Sequence, residues 1–175
     1  MAIRKTIQIG DKRLHTKSKC AGPRDKGVLR LIYDLRDTMK HEELIGMAAP
    51  QLGILKRVFV TEIRKTKTRK SGLDGFRVFI NPKITRYSQK TVPMYEGCGS
   101  IFHGNLFGEV SRPKNVDVEY TDENGDQHKE RFRGLLARVV QHEYDHIEGI
   151  LFTERMTDLR TLMDKEHYLK MVKGK

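Results

Sequence analysis

The stretch QHEYDHIEG, Gln141 to Gly149, constrains the fold more than any other part of the chain. Residues four apart project from one face of an α-helix, so His142 and His146 meet a common point only if this segment is helical, with Glu143 beside them. Upstream, Leu135, Leu136, Val139 and Val140 form a helical apolar face that runs into the same motif. The sequence therefore predicts a helix buried against β structure, carrying two imidazoles and a carboxylate.

HExxH is moderately specific, because two imidazoles at this spacing coordinate a metal ion while the acid manages the proton of its water. A helix with hydrogen-bonded histidines and an exposed glutamate is the ordinary alternative for one lone histidine, less so for the complete motif. The third ligand decides the chemistry. Six residues after His146, where a long-motif zinc protease has another histidine, stands Phe152, which has no donor. Glu154 or Glu166 would serve in a second protease branch, but neither lies in a supporting pattern. Cys98 in EGCGS, Glu96 to Ser100, is the stronger candidate. A thiolate plus two imidazoles leaves a fourth position open, the arrangement of a catalytic site, and the flanking glycines let backbone approach an ion closely. Cys20, without such a pattern, reads as a small buried hydrophobe.

The rest of the chain reads as α+β. Val28, Leu31, Ile32, Leu35 and Met39 mark a helix between Arg24 and His41, with Asp25 as N-cap. GMAAPQLGI reads as a loop leading into a strand at Arg57 to Ile63; a second strand starts at Phe76 and ends at Asn81 and Pro82. The basic run from Arg64 to Lys70 between them lacks interleaved aromatics and reads as a solvated hairpin loop. Val116, Val118 and Tyr120 alternate before Asn124-Gly125, a favoured pair for a tight hairpin turn. Leu159, Leu162, Met163, Leu169 and Met171 mark a C-terminal helix. With no repeat or linker, the 175 residues read as a single α+β domain of antiparallel sheets around the HExxH helix.

Composition narrows the setting. Lysine and arginine number 34 against 23 acids, a formal charge of +11 that attracts ribosomes, nucleic acid or anionic membranes without specifying one. Two cysteines are too few for a disulfide framework, which suggests a reducing cytoplasm. There is neither an apolar leader at the start nor an apolar run of membrane-spanning length, so the expectation is a soluble, cytoplasmic protein.

Three ordered blocks, GMAAPQ at Gly46 to Gln51, EGCGS at Glu96 to Ser100 and HEYDHIEG at His142 to Gly149, together with INP after a strand, resemble the peptide deformylases over essentially the whole chain. The resemblance implies removal of the formyl group from N-formylmethionine of nascent polypeptides, releasing formate. It implies one divalent metal held by Cys98, His142 and His146, natively Fe²⁺, with Zn²⁺, Ni²⁺ or Co²⁺ able to substitute. Glu143 becomes the general base, and the Gln51 side-chain amide with the Gly99 backbone N–H become the oxyanion donors. An extended peptide would pair with backbone near Gly46 and Gly97, its methionine in an apolar pocket. Glu96 and Asp145 are assigned to support or ordinary pairing. A basic C-terminal helix suggests ribosome association of a monomeric enzyme.

The chain departs from the family pattern at several positions. Leu44 replaces a glycine, Met47 a leucine, Gly99 the leucine after the metal cysteine and Phe102 a proline; in the stretch after Phe102, where the family often has an arginine, none appears before Arg112. Glycine at 99 keeps the backbone donor while removing an apolar side chain and loosening the loop, so altered specificity or rate is expected rather than lost metal binding. His103 reads as a solvated loop residue. Competing readings are an HExxH metallopeptidase in which Cys98 is dispensable, a divergent deformylase with altered substrate, and a catalytically weak ribosome-binding descendant.

Overall fold

The computed structural model describes residues 2–22, 26–66 and 69–173. Its first helix, α1, spans Lys26–His41; the expected N-cap Asp25 and the preceding Arg24 lie outside the described residues, as do Lys67 and Thr68 of the basic run. Three strands follow: β1 at Gly46–Ala48, β2 at Val58–Ile63 and the long β3 at Asp74–Tyr87. Next come β4 at Thr91–Gly97, β5 at Leu106–Pro113, β6 at Asn115–Thr121 and β7 at Gln127–Arg133. The HExxH helix, α2, spans Gly134–Glu148, and β8 at Met163–Asp164 precedes the final helix α3 at Lys165–Lys173.

Two antiparallel sheets result, one ordered β1-β2-β3-β6-β7 and one ordered β4-β5-β8. The period of two explains how both helices find cover on the larger sheet. Val58, Val60, Val78 and Ile80 pack with Val28, Leu31, Leu35 and Met39 of α1. The alternate residues Phe59 and Phe79 pack with Val116, Val118, Phe132 and with Ala137, Val140 and Ile147 of α2. Phe59 and Phe79 stack at 4.5 Å between centroids, which anchors the α2 side. Because β2 and β3 are apolar on both faces here, the HExxH helix is pinned by a sheet that is itself a core layer.

Several expectations change. GMAAPQLGI is not a plain loop: Gly46–Ala48 pairs with β2 and a 3-10 turn follows at Ala49–Leu52. The second strand does not stop at Asn81 and Pro82 but continues to Tyr87. Asn81 adopts φ 51° at a shift of register between Ile80 and Lys83, a bulge that accommodates the proline, and its amide bonds Ala21 N and O at 2.8 and 2.7 Å. The Asn124-Gly125 turn is wider than a two-residue hairpin, because Thr121 pairs with Gln127 and the Asp122 carboxylate accepts from Asn124 N and Asp126 N. The C-terminal helix is shorter than its apolar pattern suggested; Leu159–Thr161 form a 3-10 turn and Met163 pairs with Phe107 in a strand. Cys20 is exposed, not a core residue.

Candidate metal centre

The site forms where the two sheets meet α2. Cys98, at the end of β4, is 2% exposed and packs with Leu14, Ile101, Val110, Leu151 and Phe152. His142 and His146 come from successive turns of α2, their rings 5.0 Å apart between centroids at 77°. One ligand atom from each of Cys98, His142 and His146 lies within 4.8 Å of the other two, and Cys98 Sγ is 3.2 Å from His146 Nε2. Among the described residues this is the one cluster of three or more such side chains close enough to share an ion. Glu154 and Glu166 stand elsewhere on the surface, Glu154 against His15 and Glu166 against Lys170. Phe152 is a buried core side chain that stacks toward His142.

Ring orientation follows from what holds the far nitrogen. His142 Nδ1 donates to Glu96 Oε2 at 2.9 Å, which leaves Nε2 to face the cluster. Glu96 is held in turn by Arg112 at 2.7 and 3.0 Å and by Arg138 at 2.5 Å, and Arg112 reaches Asp145 at 2.7 Å. Arg155 closes the network on Asp145 from the surface. Burial pushes the Glu96 carboxyl up, but the bonds from His142 and Arg112 outweigh it and hold it well below the usual carboxylate range. Burial pulls His142 down, yet Cys98 and Glu96 beside it raise it well above an ordinary histidine; His146, buried and next to His142, is lowered. No local pattern marks Arg112 and Arg138 for this role, since an arginine in a strand or on a helix reads as surface until its partners are placed.

Glu143 is buried, and its Oε2 has no hydrogen-bond partner in the described structure. Burial pushes its carboxyl up to about 7, with Glu96 adding to the shift and His142 opposing it. Gly46 runs directly against this carboxylate; a Cβ there would collide with Glu143 and lie 2.8 Å from Val139 Cγ1, so only glycine fits. Gln51 is fixed by its own turn: Oε1 accepts from Ala48 N at 2.8 Å, which turns Nε2 toward Cys98 Sγ at 3.6 Å. Thus Gln51, Glu143, Cys98, His142 and His146 converge, and Gly46 lies against them.

Packing requires both glycines of EGCGS. A Cβ on Gly97 would meet the Phe107 ring at 2.7 Å, and one on Gly99 would meet Leu44 Cδ1 at 2.8 Å and Glu42 Oε2 at 2.9 Å. Beyond them, Phe102 and His103 are exposed with φ of 47° and 54°. A proline cannot adopt that φ, so the loop path seen here excludes proline at 102. His103 points to solvent and joins no ligand cluster, as the sequence suggested. β1 and β4 are terminal strands of their respective sheets, each with one side unpaired in its sheet. Cavities of about 480 and 220 Å³ near Tyr87 involve none of Cys98, His142 or His146.

A donor set of one thiolate and two imidazoles, with a buried carboxylate whose Oε2 lacks a partner, fits a divalent transition metal. Comparison with known proteins agrees with this chemistry. The family model described as polypeptide deformylase matches residues 3–161. Peptide deformylase of Thermomicrobium roseum is 41% identical over 162 residues, covering 93% of this chain and 90% of that protein. The Zymomonas mobilis peptide deformylase is 35% identical over 170 residues, 97% of this chain and 95% of that protein. Among solved structures, peptide deformylase from Thermotoga maritima superposes with a TM-score of 0.81 at 32% identity, covering 90% of this chain and all of that one. The Met-Ala-Ser bound class I type b enzyme from Acinetobacter baumannii gives 0.83 at 30% identity over 89% of this chain and 99% of that one. The chain belongs to the peptide deformylase family, the metal-dependent hydrolases that remove the N-formyl group from nascent polypeptides.

Proposed function

We propose that the 175 residues act as one catalytic domain in which Cys98, His142 and His146 hold a single divalent ion, natively Fe²⁺, and Glu143 is the general base. The observation that carries this reading is the clustering of those three donors within 4.8 Å of one another, with the buried Glu143, whose Oε2 has no hydrogen-bond partner, next to His142 in the chain. When bound, the ion supplies Lewis acidity that makes water nucleophilic near neutral pH. Glu143, poised by burial, accepts the proton of the attacking water and passes it to the departing amine. Gln51 Nε2, whose partner Oε1 is tied to Ala48, donates to the developing oxyanion together with the Gly99 N–H. Glu96 keeps His142 in the tautomer that presents Nε2.

The formylated peptide lies extended between the open edges of β1 and β4, pairing with backbone near Gly46 and Gly97. The Acinetobacter enzyme with Met-Ala-Ser bound supports a peptide of this kind as ligand. Among the described residues no helix is long and apolar enough to cross a membrane. We place the enzyme in the cytoplasm as a monomer that meets nascent chains at the ribosome, drawn by its +11 charge and by α3, which carries Lys165, Lys170 and Lys173. Salt-sensitive ribosome pelleting with and without residues 157–175 tests that association; equal binding by both forms removes α3 from it.

The central test is anaerobic purification with metal analysis and formate release from formyl-Met-Ala-Ser. Glu143→Ala is expected to lose about 10²- to 10⁴-fold in rate while retaining metal. Cys98→Ala is expected to lose the metal itself. A metallopeptidase would instead cleave peptide bonds and keep activity without Cys98.

A further inference from the structure

We infer that Gln8 is a positioning residue for this reaction, acting through the loop that carries Gly99. The inference rests on the reading of the Gly99 N–H as an oxyanion donor. Gln8 Nε2 donates to Gly99 O at 2.9 Å, and Gln8 Oε1 accepts from His103 N at 2.9 Å. One side-chain amide thus spans the loop from its second residue to its far turn, bonding backbone at both ends. Weaker bonds from Nε2 to Thr6 O and Ile7 O, at 3.3 and 3.4 Å, fold the side chain back on its own segment and fix its direction.

The neighbours of Gln8 extend the brace. Ile7 N donates to Gln51 O and Ile9 N to Ser100 O, both at 2.8 Å. Three consecutive residues therefore touch the two sources of the proposed oxyanion donors: Ile7 the turn of Gln51, Gln8 and Ile9 the loop of Gly99. Thr6 Oγ1 bonds Glu42, whose other oxygen flanks Gly99, so the segment is also held from the side of α1.

This chain has particular need of such a brace. Gly99 has no Cβ to restrict its own φ and ψ, so its N–H is oriented only by what holds the neighbouring peptides. The peptide after Gly99 is held at both its groups, Ser100 N donating to Cys98 Sγ at 3.4 Å and Gln8 Nε2 donating to the Gly99 carbonyl. The peptide before it, which carries the Gly99 N–H, is held through Cys98 O, which accepts from Ile101 N at 3.0 Å. Farther along, Phe102, His103 and Gly104 take φ of 47°, 54° and 75°, conformations that the first two residues ordinarily avoid. The His103 N bond to Gln8 stabilises that turn directly. Electrostatic stabilisation of an oxyanion depends on donors already aimed before reaction, so the amide of Gln8 acts on rate rather than on binding of the ground state.

The test combines kinetics and hydrogen exchange on the metal-loaded enzyme with formyl-Met-Ala-Ser, comparing wild type, Gln8→Ala, Gln8→Glu and Glu143→Ala. Glutamate keeps an acceptor for His103 N but has no donor for Gly99 O. Both Gln8 variants are expected to lose about five- to tenfold in kcat, the scale of one neutral hydrogen bond, with KM within about twofold and metal content unchanged. Backbone exchange should accelerate in the peptide spanning 98–104 and remain unchanged in α2. An unchanged kcat overturns the inference whether or not exchange accelerates, and so does wild-type behaviour of Gln8→Glu. A joint fall of kcat, metal content and melting temperature also overturns it, by showing a merely structural role. If wild type releases no formate, or Glu143→Ala matches it, the underlying catalytic reading fails first and takes the role of Gln8 with it.

Discussion

Leu44 fills the space beside Gly99: a Cβ built on Gly99 would stand 2.8 Å from Leu44 Cδ1. Leucine for glycine at 44 and glycine for leucine at 99, two departures from the family pattern, therefore occupy one volume from opposite sides. Gly99 is not among the positive-φ residues, so space rather than backbone conformation requires glycine there. Gly99→Leu alone should cost about 1–3 kcal/mol through overpacking and lower kcat/KM. Pairing it with Leu44→Gly should recover most of both. Urea unfolding and formate release measure the cycle; additive losses in the double variant would show that the two positions do not share the volume.

Glu96 is the hinge of a buried ion network, and Glu96→Gln leaves Arg112 and Arg138 with weaker compensation. The expected loss is about 3–5 kcal/mol, since removing one partner strands buried charge. The sign with pH follows from the lowered folded pKa. The contribution of Glu96 is complete above its ordinary value of 4.5 and is lost as pH falls toward the folded value. Wild type should therefore lose stability on acidification below about pH 4.5 more steeply than Glu96→Gln, as read by urea midpoints across that range.

Metal removal should change thiol chemistry at one cysteine only. Cys20 is exposed and Cys98 buried, so a thiol reagent should label Cys20 at once in metal-loaded protein. Chelation should expose Cys98 to slow labelling and lower the melting temperature, because an ion that binds only the folded state stabilises it. Cys20→Ser should leave metal content unchanged. Loss of metal in that variant would contradict the assignment of ligands.

Tyr168 of α3 stacks on Phe107 at 4.2 Å and 5°, and the same Phe107 ring fills the space beside Gly97. Tyr168→Ala should cost about 0.5–1.5 kcal/mol beyond the area it buries. It should also raise KM for formyl-Met-Ala-Ser about two- to fivefold with kcat retained, because the ring that supports the β4 edge is released. Leu169→Ala, at a position 40% exposed, is the control and should leave KM unchanged.

How much of this was legible in the chain differs by the range of the interaction. The helix of His142 and His146 and the apolar stripe of α1 could be read because helical periodicity is local. Cys98 was found because a short glycine-flanked block marks it. The brief strand at Gly46–Ala48 was missed: three buried residues carry no alternation, and their strand character comes from pairing with Val60 and its neighbours. The continuation of β3 through Pro82 was hidden because a bulge, not a turn, absorbs the proline. Arg112, Arg138 and Gln8 were silent for a further reason. Their meaning lies in partners 16, 42 and 91 residues away, and no window of sequence contains both.

The bonds from residues 7–9 to Gln51 and Ser100 also have a consequence for the order of events in folding. The proposed site draws on residues 7–9, the turn at 49–52, the end of β4 and the HExxH helix, so activity is expected only once nearly the whole chain has folded. Contacts of such sequence separation close late and slowly. Formate release during refolding should thus lag behind the recovery of helical signal, and the enzyme's own turnover becomes a clock for the last step of its assembly.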